Sequence, residues 1–152
     1  MILPIGDTPN PENYSPWGNW LLLALNLGIY VLISYPLSRQ PVNLQDPALP
    51  EYLRLLAPGL TSPLHLRQLL AGLNSYDLYI FTHGYKAAAP ELGDLLYSLF
   101  LHGGFFHLAG NLLFLWIYGD NVEHRLGHLP YLALYLVCGV AATLFFAVFT
   151  QA

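Results

Sequence analysis

His102, His107, Asn111, Glu123 and Arg125 are the residues in this chain whose types and spacing can do chemistry. The first three lie in a run, Leu95 to Gly119, that contains no Asp, Glu, Lys or Arg. Polar side chains in so apolar a segment cost free energy unless they are partnered, so they mark either chemistry or specific hydrogen bonds. His107 and Asn111 are four residues apart and share one face of a helix. Imidazole N–H and carboxamide N–H₂ both donate. Two donors at one depth can stabilise an oxyanion as it develops. The same pair can equally bond to neighbouring helices, and spacing alone leaves both readings open.

Other chemistries are weaker on the residues. A metal site would recruit His102, His107, His124 and His128. The chain has no HExxH and no Cys/His cluster with zinc spacing, so no metal and no cofactor are expected. His124 and His128 are four apart, but Gly127 and Pro130 make that stretch a poor helix. A proton path through His102, His107 and Glu123 would make the chain part of a transporter. Against it, Glu123 and Arg125 read more simply as an ion pair or helix-end hydrogen bonds that fix a turn between helices. Cys138 is the single cysteine and reads as a small hydrophobe. With net charge −4 and no basic block, nucleic acid is not expected as a partner.

The elements that must position these residues are apolar spans. Only 9% of the 152 residues are charged and 55% are hydrophobic. Mean hydropathy is +0.47. Soluble domains are about one quarter charged. Three stretches lack Asp, Glu, Lys and Arg: Asn13 to Ser38, Leu95 to Gly119, and Leu126 to Ala152. Each is long enough for the roughly 20 residues a bilayer crossing needs. The fold class expected is all-α, a multi-pass transmembrane helical bundle embedded in a lipid bilayer. Its spans are placed at about 17–37, 105–122 and 129–150, with a long connection at 39–94. Trp17, Trp20, Tyr30 and Tyr35 suit an interfacial belt, and Pro36 is expected to stop the first helix.

Gly103 and Gly104 would weaken a helix, so the second span starts near Phe105. The polar run Gly119 to His128 reads as a connector, and Pro130 opens the third span. Gly139, Ala141 and Ala142 admit a closely packed helix. Asn26 reads as an interhelical hydrogen bond. In the long connection, Leu49–Leu56 and Pro63–Leu73 read as amphipathic helices, while Asp77 to Phe81 is ambiguous between strand and helix.

From Ser98 to Ala142 the chain resembles the rhomboid family of intramembrane serine proteases. The matched text is Leu99-Phe100-Leu101-His102-Gly103-Gly104-Phe105-Phe106-His107-Leu108-Ala109-Gly110-Asn111, followed by a connector carrying Gly119, Glu123, Arg125 and Gly127. The resemblance implies three spans of a six-helix core and cleavage of transmembrane or membrane-near polypeptides. It also implies an integral, multi-pass location, the cell or inner membrane in a bacterium. His107 and Asn111 then stand as the oxyanion-side catalytic pair, His102 as a residue lining the active site, and Glu123 and Arg125 as the structural connector. The long connection corresponds to a loop outside the cell. Counting positive charges would instead place it in the cytoplasm, but that rule loses force for so long a loop.

The family's nucleophile stands in a GxSG motif on a later helix, and its base histidine on a later one still. Neither is found in these 152 residues. The dyad cannot be completed here, so the chain reads as the N-terminal part of such a protease, inactive alone and prone to degradation or oligomerisation. The alternatives are a rhomboid-like pseudoprotease that binds transmembrane segments, or a proton-linked transporter fragment.

Overall fold

The computed structural model describes residues 11, 13–59, 62–86 and 91–150. Seven helices account for most of them: α1 (Trp17–Ser38), α2 (Leu49–Leu56), α3 (Pro63–Gly72), α4 (Ser75–His83), α5 (Leu92–Ser98), α6 and α7 (His128–Thr150). Helix α6 is one continuous run made of Phe105–Phe114, a π-helical turn at Leu115–Gly119, and Asp120–Leu126. Among the described residues the sole β feature is an isolated antiparallel bridge between Pro41 and Asn74.

Among the described residues two helices are long and apolar enough to cross a membrane, Trp17–Ser38 and His128–Phe149. The sequence suggested three. Helix α6 falls short of that test because His107, Asn111, Asp120 and Asn121 dilute its apolar residues. The burial pattern is inverted relative to a water-soluble core. Leu32, Trp116, Val137, Phe145, Phe146 and others are exposed, while Asn19, Asn26, Ser34, His102 and Glu123 are buried. Polar groups inside and apolar groups outside is the arrangement that a hydrocarbon solvent selects.

Helix α1 does not stop at Pro36. It continues to Ser38, through a π-helical turn at Tyr30–Ser34 just ahead of the proline. The proline ring would clash with the carbonyl four residues back, and a widened turn relieves that clash. Arg39 and Gln40 then donate to the carbonyls of Pro36 and Leu37 and close the helix end. The 119–128 segment also differs from expectation: it is helical to Leu126. Only Gly127, at φ +85°, breaks the chain, so that α7 starts at once at His128.

The connection between α1 and α6 has its own core of Val42, Leu49 and Leu78, with Tyr52, Leu53, Leu70 and Leu73 packed on it. The ambiguous segment around Asp77 is helix α4, entered through a capping box. The Asn74 side chain accepts from the Tyr76 and Asp77 amides, and Asp77 accepts from the Asn74 amide at 2.8 Å. Helix α1 packs against both α6 and α7. Elsewhere α6 and α7 diverge, and α4, α5 and the two long helices together frame a cavity.

Candidate functional site

The two ends of α6 carry the polar residues that the sequence singled out. At its C-terminal end Glu123 is fully buried. Its Oε2 accepts the Asn19 amide at 2.7 Å, and its Oε1 accepts the Gly18 amide at 2.9 Å. Those amides belong to the first turn of α1, which has no intrahelical acceptor for them. A carboxylate there also meets the positive end of the helix dipole. His128 Nδ1 lies 2.5 Å from the same Oε1. The carboxylate therefore joins the starts of α1 and α7 to the last turn of α6. Of the two bland readings, helix-end hydrogen bonds are what the structure contains. The side chain set against Glu123 is His128, and Arg125 is exposed.

Asn19 is a residue that sequence reasoning missed. Its Nδ2 donates to the Leu115 carbonyl in the π turn of α6 at 3.0 Å. Its Oδ1 accepts from the Tyr131 hydroxyl of α7 at 2.8 Å. One carboxamide thus ties three helices together. It fits because Gly119 and Gly18 lack side chains. A Cβ on Gly119 would run into the Asn19 side chain, and one on Gly18 would sit 2.8 Å from Glu123 Oε1. Two turns further along α1, fully buried Asn26 donates to Tyr135 at 3.1 Å, as an interhelical hydrogen bond. Around the Glu123 centre, Tyr14 stacks on His128 and meets His124 edge-on, so these two histidines flank an aromatic ring. Burial, with Glu123 and Asp120 nearby, raises the Tyr14 phenol. Among the described residues no three His, Cys, Asp or Glu side chains gather as a metal site would need.

At the N-terminal end of α6 the arrangement is more open. His102 precedes the helix and is 1% exposed. Its Nδ1 lies 3.0 Å from the Phe100 carbonyl, and its Nε2 lies 3.0 Å from Asn111 Nδ2. A carbonyl only accepts, so Nδ1 carries the proton and Nε2 accepts from the Asn111 carboxamide. Burial, the largest cause, lowers the His102 imidazole from its usual range, and neighbouring His107 lowers it further. Both act to keep the ring neutral. The His102 carbonyl accepts from the Tyr76 hydroxyl of α4 at 2.9 Å, and that hydroxyl accepts from Ser34 of α1 at 3.0 Å. Ser34 and Tyr76 carry no sequence signal for this, since the contacts span 42 and 26 residues.

His107 is exposed and its ring lies edge-on to His102, 5.2 Å between centroids. His107 and half-buried Asn111 both line the cavity, whose volume is about 1210 Å³. Its wall is mainly apolar, with Phe114, Leu134 and Phe146 from the two long helices. Cys138 and Gly139 face it from α7, and Gly139 is closely approached by Leu99. The structure therefore brings His102, His107 and Asn111 together and keeps Glu123 and Arg125 at the opposite end of α6.

Residues 89–152 match the family model described as Rhomboid domain. No curated protein and no solved structure matches the chain.

Proposed function

On the premise that residues 89–152 are rhomboid-family sequence in an all-helical membrane fold, we propose that this chain supplies the oxyanion side of an intramembrane serine endopeptidase. The protein is multi-pass in this reading, and its substrates are transmembrane or membrane-near polypeptide segments. His107 and Asn111 donate hydrogen bonds to the carbonyl oxygen that becomes negative when a serine attacks it. Such donors act on charge that exists only in the transition state, so they raise kcat rather than affinity. In this reading the serine and its base histidine lie outside these 152 residues, which contain no GxSG.

One observation carries the reading. His107 and Asn111 line one cavity from the Phe105–Phe114 part of α6, whose other side chains are apolar, and neither is consumed by helix packing as Asn26 and Asn19 are. A cavity of about 1210 Å³ with apolar walls has room for an apolar polypeptide segment.

The test begins with the coding sequence beyond the codon for Ala152. If the frame runs into GxSG and a later histidine within an apolar helix, the complete product should cleave a fluorogenic transmembrane reporter in proteoliposomes. His107→Ala or Asn111→Ala in it should then lower kcat by about 10²–10³-fold, the usual cost of an oxyanion donor. If the frame stops there and the reconstituted chain cuts nothing, the protease reading is overturned in favour of a protein that binds transmembrane segments without cleaving them.

A further inference from the structure

The sequence marked His102 as lining the site, but its contacts give it a narrower task. The residue is held at three points, two on the ring and one on the backbone. Nδ1 meets the Phe100 carbonyl at 3.0 Å, the residue's own carbonyl takes the Tyr76 hydroxyl at 2.9 Å, and Nε2 faces Asn111 Nδ2 at 3.0 Å. The Tyr76 contact is itself braced by Ser34. The Tyr76 contact fixes the backbone and the Phe100 contact fixes the ring, which leaves the third to locate the carboxamide. A carboxamide presents either an acceptor oxygen or a donor nitrogen, and a half-turn about its last bond exchanges them.

We propose that His102 is a positioning residue whose unprotonated Nε2 engages one N–H of Asn111, fixing the carboxamide orientation and leaving its second N–H for the cavity. Without that acceptor the amide can rotate and present its oxygen, which repels an oxyanion. The proposal rests on the reading of Asn111 as an oxyanion donor, but the hydrogen bond itself can be tested separately.

The experiment is nitrogen NMR on the full chain in lipid nanodiscs, with histidine and asparagine side chains labelled. The titratable groups in contact with His102 are His107, against its ring, and Tyr76, at its carbonyl. The expected tautomer has the proton on Nδ1. Asn111→Ala should move the Nε2 resonance and leave Nδ1 in place. It should also raise the pH at which His102 protonates, because a bond donated to Nε2 favours the neutral ring. A proton found on Nε2, or an Nε2 resonance indifferent to Asn111→Ala, overturns the proposal.

Two substitutions supply a second readout on the Asn111 side-chain amide. His102→Gln keeps a polar atom near the Nε2 position and should preserve the amide resonances. His102→Asn keeps one only near Nδ1 and should lose them. If neither variant folds, the Asn111→Ala readout on native His102 still decides. In a cleaving product, His102→Asn should lower kcat with KM unchanged, and His102→Gln should restore part of it. A confirmed bond with kcat unmoved would sink the oxyanion role of Asn111 and leave the positioning intact.

Discussion

The two ends of α6 use similar residues to opposite effect. At one end Glu123, Asn19 and Tyr131 are buried, and the hydrogen bonds between them hold three helices together. Their surroundings are so tight that Gly18 and Gly119 admit no side chain without displacement. At the other end His102 is buried, while His107 is exposed and Asn111 half-buried beside a cavity. A polar group in an apolar helix is therefore not a functional signal in itself. What separates structure from chemistry is whether neighbours use up its hydrogen-bonding capacity.

The contrast breaks most sharply at Glu123. Glu123→Ala strands two first-turn amides of α1, and each buried donor left unsatisfied costs about 1–3 kcal/mol. Unfolding by denaturing detergent, followed by helical circular dichroism, should show that loss. A variant as stable as the parent would mean that the centre is replaceable packing.

Gly119→Ala should follow at about 1–3 kcal/mol, the usual cost of overpacking, because its methyl displaces Asn19 and crowds the Tyr131 hydroxyl. The same assay reads it, and Asn19→Ala in that background should recover part of the loss. Asn19 Oδ1 would no longer be there to clash.

Acid sharpens the comparison from the open end. His102 has its pKa lowered by burial in the folded state, so the unfolded chain binds a proton first as pH falls. Its contribution is fully present above about pH 6.5, the ordinary histidine value, and is lost progressively below it towards the lowered folded value. Stability profiles of the parent and of His102→Gln should converge in that acid window. Parallel profiles would show that His102 is not the group responsible. The smallest effect belongs to His107. Its exposed ring packs little, so His107→Ala should change stability by no more than about 0.5 kcal/mol in the detergent assay. A loss of several times that would move His107 to the structural side of the comparison.

Much of this organisation was legible in the residues. Charge-free spans located the long helices because burial in hydrocarbon excludes unpaired charge, and Asn26 was readable as an interhelical contact on the same ground. The grouping of His102, His107 and Asn111 followed from local spacing. The C-terminal extent of α6 was not readable, since Asp120 to Arg125 looks like a solvated connector until α1 delivers amides from more than 100 residues away. The π turns in α1 and α6 have no local signature beyond Pro36 in the first. Asn19 was overlooked because nothing nearby distinguishes it from an interfacial residue. The helical identity of α4 did carry a signal, the Asn74-x-x-Asp77 capping box, which outranks the ambiguous β-prone aromatics that follow it.

The Glu123 carboxylate also sets a clock on biosynthesis. The amides that it satisfies lie 104 and 105 residues earlier in the chain. At about 5–20 residues per second, the start of α1 emerges about 5–20 s before its acceptor exists. During that interval its first turn must borrow partners from water or from lipid headgroups. Entry of α1 into its final depth is thus coupled to the arrival of α6, and a pause in translation between them would prolong the exposure of an unfinished helix end.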